Sequence, residues 1–99
     1  MFNRRFLDLG QAEIDAQIDA MPRRYTSDEF LRAFEENNSN LYEEFVRFYS
    51  ERGHPRAHAI QIVNSQLMHT VNACFSLRTR KIRTVPNPKG GDMSEWRRV

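Results

Sequence analysis

Proline stands at four positions, 22, 55, 86 and 88, in a chain of 99 residues. A proline ends a helix before it and is tolerated at the first turn of one after it. These positions therefore set where long elements stop and start. From about residue 9 to 74 the apolar residues recur at three- and four-residue spacing, which selects helices. Asp8 followed by Gln11 has capping-box character. A first helix is expected over about 9–21, with residues 1–8 as a loose N-terminal arm. Ile14, Ile18 and Met21 form its apolar stripe, and Glu13, Asp15, Gln17 and Asp19 its other face. Gly10 weakens its first turn. Arg23-Arg24-Tyr25 reads as a connector.

Thr26-Ser27-Asp28-Glu29 is a helix start, since Thr26 can cap while Glu29 reaches back. This helix is expected over about 27–36, with Phe30, Leu31 and Phe34 inward. The cluster Asn37-Asn38-Ser39-Asn40 turns the chain. The next helix, about 40–52, carries Leu41, Phe45 and Phe48 as its stripe, flanked by Tyr42 and Tyr49. Gly53 stands where a helix ends in the left-handed region, and Pro55 opens a long helix over about 55–74. At 100° per residue, Ile60, Val63, Leu67, Val71 and Cys74 fall within roughly 80° and define its core face. His54, His58, Gln61, Ser65, His69 and Asn72 lie opposite, with Ile62 among them, and no carboxylate. The last quarter changes period. Arg80–Val85 and Ser94–Val99 have strand composition around a Pro/Asn/Gly-rich turn, so a hairpin is expected over about 80–99. Its apolar anchors would be Ile82, Val85, Trp96 and Val99.

Length bounds the chain to one domain. No apolar run approaches the ~20 residues that span a bilayer, so no membrane partner is expected. The start MFNRRFLDLG lacks the apolar segment of a secretory signal. Its one cysteine, Cys74, makes no internal disulfide, and a reduced, cytoplasmic protein is the simplest expectation.

The net charge of +2 hides a division. Residues 1–50 carry six basic and ten acidic side chains, whereas residues 51–99 carry nine basic and three acidic ones. After Glu51 no acid occurs until Asp92. A basic, acid-free stretch reads either as an ordinary solvated face or as a surface for a polyanion.

Catalytic readings are poor, and no enzyme, cofactor or metal site is expected. Lys89-Gly90-Gly91 lacks the spacing of a phosphate loop. Cys74 and His69 lie about 140° apart on a helix, and Cys74 is expected on the core face. His54 and His58 share a face, but His69 lies eleven residues beyond His58, about 16 Å along the axis. Two imidazoles fall short of the four ligands of structural zinc.

Three helices followed by a hairpin, over residues 26–99, resemble the winged helix-turn-helix family. The residues carrying the likeness are Thr26–Glu36, Leu41–Arg52, the Gly53-His54-Pro55 turn, Pro55–Asn72 and the hairpin ending Ser94-Glu95-Trp96-Arg97-Arg98-Val99. The resemblance implies a mainly α fold with a small C-terminal β-hairpin, extended here by an additional N-terminal helix. It also implies that the helix over 55–74 enters the major groove of duplex DNA, as in a transcription regulator. Arg56, His58, Gln61, Ile62 and Ser65 are then the expected base-reading side, ranked above His69 and Asn72. Arg80, Lys81, Arg83, Lys89, Arg97 and Arg98 are the expected phosphate-pairing cations of the hairpin. The alternative is a protein-interaction module built on the same fold without DNA. RNA binding has one stacking candidate, Trp96, which is better placed as a core anchor. The Ile14, Ile18 and Met21 stripe must be buried against its own chain or a second copy, and Phe2, Phe6, Tyr42 and Tyr49 leave room for either. A homodimer through the N-terminal helix is therefore also an expectation.

Overall fold

The computed structural model describes residues 4–99. The elements are α1 (Arg4–Ala20), β1 (Arg24–Thr26), α2 (Ser27–Asn37), α3 (Ser39–Ser50), α4 (Arg56–Cys74), β2 (Thr79–Pro86) and β3 (Asp92–Arg98). The fold is mainly helical with one small antiparallel sheet of order β1-β3-β2.

Helix α1 begins at Arg4 rather than near residue 9, so residues 4–8 are not a loose arm. Residues 1–3, and Phe2 with them, lie outside the described residues. The cause is Phe6, which is fully buried with its ring 4.3 Å from that of Phe45 and 6.4 Å from that of Tyr49. Burying an aromatic ring outweighs the roughly 1 kcal/mol that Gly10 costs a helix interior. Asp8 and Gln11 consequently sit inside the helix rather than at its start. Gly10 itself faces α3. A Cβ built there would stand 3.3 Å from Leu41 Cδ2 and 3.4 Å from Phe45 Cζ, so the absent side chain permits the close approach. Ile14, Ile18 and Met21 are buried within this chain, and the stripe that raised pairing with a second copy is covered here. Gln17, expected on the polar face, is buried too. It accepts from Asn37 Nδ2 at 3.0 Å and donates to Met21 Sδ at 3.3 Å.

Helix α2 starts as its sequence dictates. Thr26 Oγ1 accepts from the Glu29 amide at 3.2 Å, and the Thr26 amide donates to Glu29 Oε1 at 2.8 Å. Phe30 and Phe34 enter the core, with Leu31 partly buried beside them. In α3, Tyr42, Phe45 and Val46 are buried, and the inward face is rotated toward Val46 and away from Phe48. Gly53 closes the α3–α4 turn at φ +95°, a conformation that strains any side-chain-bearing residue.

Helix α4 buries Ala59, Val63, Leu67, Thr70 and Val71. Cys74 has the angular position expected of the core face but is exposed, as the last residue of the helix. Phe75, one residue on, takes the buried place instead.

The expected connector at Arg23–Tyr25 contains a strand. β1 pairs with β3 through Arg24↔Arg97, Tyr25↔Trp96 and Thr26↔Glu95. The hairpin forms as expected, but of its four predicted anchors only Trp96 is buried. Ile82 is 39 % exposed because the ladder skips it: Lys81 opposes Trp96 and Arg83 opposes Glu95, leaving Ile82 as a bulge. Val99 follows the strand and is 73 % exposed, and Val85 is half-buried. The inner face holds Tyr25, Trp96 and Thr79. The Tyr25 hydroxyl reaches Thr79 Oγ1 at 2.5 Å, and Thr79 Oγ1 donates to the Arg97 carbonyl at 3.2 Å. Trp96 Nε1 donates to Ser27 Oγ at 2.9 Å, tying the sheet to the start of α2.

Two substitutions check this packing. Gly10→Val should lower stability by about 1–3 kcal/mol in urea unfolding, by forcing α1 off α3. Trp96→Ala should cost about 3–5 kcal/mol in the same assay.

Candidate nucleic-acid interface

Helix α4 contains no Asp or Glu, and its outward face is the one expected. His58, Gln61, Ser65, His69 and Asn72 are exposed, while Ile62 is half-buried. At its N-terminal end Arg56 is not free. Its guanidinium forks onto Glu43 of α3, with Nη1 to Oε2 at 3.1 Å and Nη2 to Oε1 at 2.5 Å. That pair holds the Glu43 carboxyl below its ordinary range. His58 meets His54 edge to face, with centroids 5.0 Å apart, and His54 leans in turn on Tyr49 at 6.1 Å. The histidines make an edge-to-face elbow between α3 and α4. Among the described residues no group of three His, Cys, Asp or Glu side chains is placed to hold a metal.

The hairpin stands beside the other half of α4. Ser65, Met68, His69 and Asn72 face Ser27, Lys81, Ser94 and Trp96 across a shallow cleft of about 200 Å³. Lys81 Nζ lies 5.7 Å from the Trp96 ring centroid. Of the expected α4 contacts, Ser65 alone is thus brought to the hairpin. It is joined there by His69 and Asn72, which insertion of the helix N-terminus into a groove ranks lower.

The remaining cations divide by partner. Arg83 Nε donates to Glu95 Oε1 at 2.5 Å, and Lys89 Nζ lies 3.4 Å from Asp28 Oδ1. Arg98 is half-buried, with its Nε enclosed and its amide donating to the Arg23 carbonyl at 2.8 Å. Arg80 makes one long bond of 3.4 Å to the Ser76 carbonyl. Arg97 is exposed with no ion pair among the described residues. It stands between Arg80 of β2 and Arg24 of β1. Arg24 is the residue that sequence reasoning missed. Its signal was the alternation of polar Arg24, apolar Tyr25 and polar Thr26 within a segment read as connector.

Arg78, which follows α4, pairs with Asp15 and Asp19 of α1. The acidic first half and basic second half of the chain therefore neutralise each other at several points. No helix among the described residues is long and apolar enough to cross a membrane.

Comparison with known protein families, curated proteins and solved structures finds no match to this chain.

Behind the α4 face, Tyr42 donates to Asn64 Oδ1 at 2.7 Å. Burial, aided by the nearby Glu35 charge, pushes its phenol up to about 12. Burial also raises the phenol of Tyr25, against the bond to Thr79. Both phenols stay neutral in the fold where an unfolded tyrosine, near 10, already ionises. Their contribution is thus complete below pH 10 and is lost as pH rises from there toward the folded value. In urea unfolding stepped between about pH 9 and 12, Tyr42→Phe should show a shallower loss of stability than the parent chain.

Proposed function

We propose that this chain is a small duplex-DNA-binding protein of winged-helix type, acting as a transcription regulator. The observation that carries the reading is the shared cleft between α4 and the hairpin. An acid-free polar helix face runs continuously into a basic strand, with Ser65, His69 and Asn72 on one side and Lys81 on the other. The order of elements supports the same reading, with helices α2, α3 and α4 followed by a hairpin whose second strand, β3, also pairs with β1.

In this proposal the exposed face of α4 lies in the major groove. Gln61 and Asn72 carry amides suited to adenine edges, and His58, Ser65 and His69 donate to bases or phosphates. The hairpin then supplies cations to the backbone, which orients the helix without reading sequence. Arg56, Arg83 and Lys89 are engaged within the chain, so their contribution requires exchange of a carboxylate for a phosphate.

Fluorescence anisotropy of a labelled random duplex across a salt series tests the proposal. Micromolar binding that weakens steeply with salt is expected, because neutralised phosphates release counterions. No binding at low salt would sink it and turn attention to α4 as a protein-docking face. Once a preferred site is selected, Gln61→Ala and Asn72→Ala should each relax preference at one base pair by about 1–3 kcal/mol. Equal loss on every sequence would argue against direct readout by that amide.

A further inference from the structure

On the outer face of the sheet, three arginines stand side by side, one from each strand. Arg24 of β1 is directly opposite Arg97 of β3, and Arg97 is directly opposite Arg80 of β2. Directly paired residues of antiparallel strands point to the same side, and neighbours along a strand point to opposite sides. Tyr25 and Trp96 are buried, so their strand neighbours Arg24 and Arg97 face outward. All three arginines are exposed. Among the described residues none of them has a carboxylate partner. The one acid on this face in the next row, Glu95, is already held by Arg83.

Such a row is costly to the fold. Like charges directly opposite in a sheet repel, and here the central arginine meets one on each side. Elsewhere five cations do have carboxylate partners, Arg32, Arg56, Arg78, Arg83 and Lys89. Arg23, Arg47, Arg52, Lys81 and Arg98 also lack a carboxylate partner among the described residues, but only in the row do three such cations stand directly opposed across paired strands. Opposed residues stand about 5 Å apart, so the line spans about 10 Å between its outer Cα atoms. One strand of a duplex carries a charge for about every 3.4 Å of rise along the axis, and because the backbone also winds, a row of this length meets about two successive phosphates. The guanidinium fork suits phosphate oxygens bidentately.

We infer that the outer face of the sheet, through the row Arg24–Arg97–Arg80, is a backbone-binding track for a strand of nucleic-acid phosphates. The inference rests on the duplex-binding reading and assigns its main phosphate contact to the sheet face rather than to the hairpin tip. Arg24 becomes a binding residue, and Lys89, tied to Asp28, does not. A line of charge on a small sheet, with Trp96 buried behind it, fits a strand of phosphates better than a lipid surface. Among the described residues no large aromatic side chain is exposed to enter a bilayer.

The test compares the 99-residue chain with the double variant Arg24→Gln/Arg97→Gln on a labelled random duplex across a salt series. The double variant should flatten the log–log salt dependence by about 2, one for each phosphate no longer neutralised, on all sequences alike. Gln61→Ala should keep the parent slope. The melting temperature of the double variant should equal or exceed that of the parent, since a mutual repulsion has been removed. A lowered melting temperature would make the arginines structural and overturn the inference. Duplex binding with an unchanged slope would overturn it and leave the duplex reading intact. Absence of duplex binding by the parent would overturn both. Displacement of the duplex by phosphatidylserine vesicles at equal phosphate would replace the nucleic acid with a membrane surface.

Discussion

The burial of Trp96 governs the geometry of this molecule. It lies on the middle strand, so its position sets both neighbours: Tyr25 opposite it on β1 and Lys81 on β2. Its ring is enclosed, and its indole N–H is directed to Ser27 at the start of α2. A tryptophan buried without a partner for that N–H would be penalised, so the sheet cannot slide along the helices without losing the bond. Because successive strand residues alternate, fixing Trp96 inward also fixes Arg97 outward. The basic face of the sheet is in this sense a consequence of the core.

Electrostatics divides the rest of the surface. The acidic α1 and α2 receive cations from the far end of the chain, Arg78 on Asp15 and Asp19 and Lys89 on Asp28. These contacts are solvent-exposed and contribute little stability individually. Their larger effect is to remove charge from places where an external polyanion would otherwise be drawn. Among the cations left without a carboxylate, the arginine row is the set aligned across all three strands.

The helices α2 to α4 were legible because their signals are local. The Thr26–Glu29 capping box, the left-handed Gly53 and the period of Val63, Leu67 and Val71 all act within a few residues. The errors arose where a distant residue decides. Phe6 extends α1 because Phe45 and Tyr49, some forty residues away, receive its ring. β1 exists because β3 pairs with it from the other end of the chain. Cys74 lies at the angle expected of a core residue, and angle says nothing of where along its axis a helix outruns its neighbours. For the candidate site, the polar face of α4 could be read from spacing, as could the cation-rich hairpin. Which cations are free could not, since Glu43, Asp28 and Glu95 reach Arg56, Lys89 and Arg83 through folding alone.

The bulge at Ile82 bears on how this sequence tolerates change in length. The ladder opposes Lys81 to Trp96 and Arg83 to Glu95, with nothing opposite Ile82. Removing that one residue leaves every remaining pair facing the partner it already has. Removing Lys81 or Arg83 instead would draw Ile82 into the vacated pair, whereas a loss in a strand without a spare residue shifts one side by a step and turns its side chains to the opposite face. A strand that carries one uncounted residue thus has a short stretch around the bulge where a codon can be lost while the register beyond it is kept.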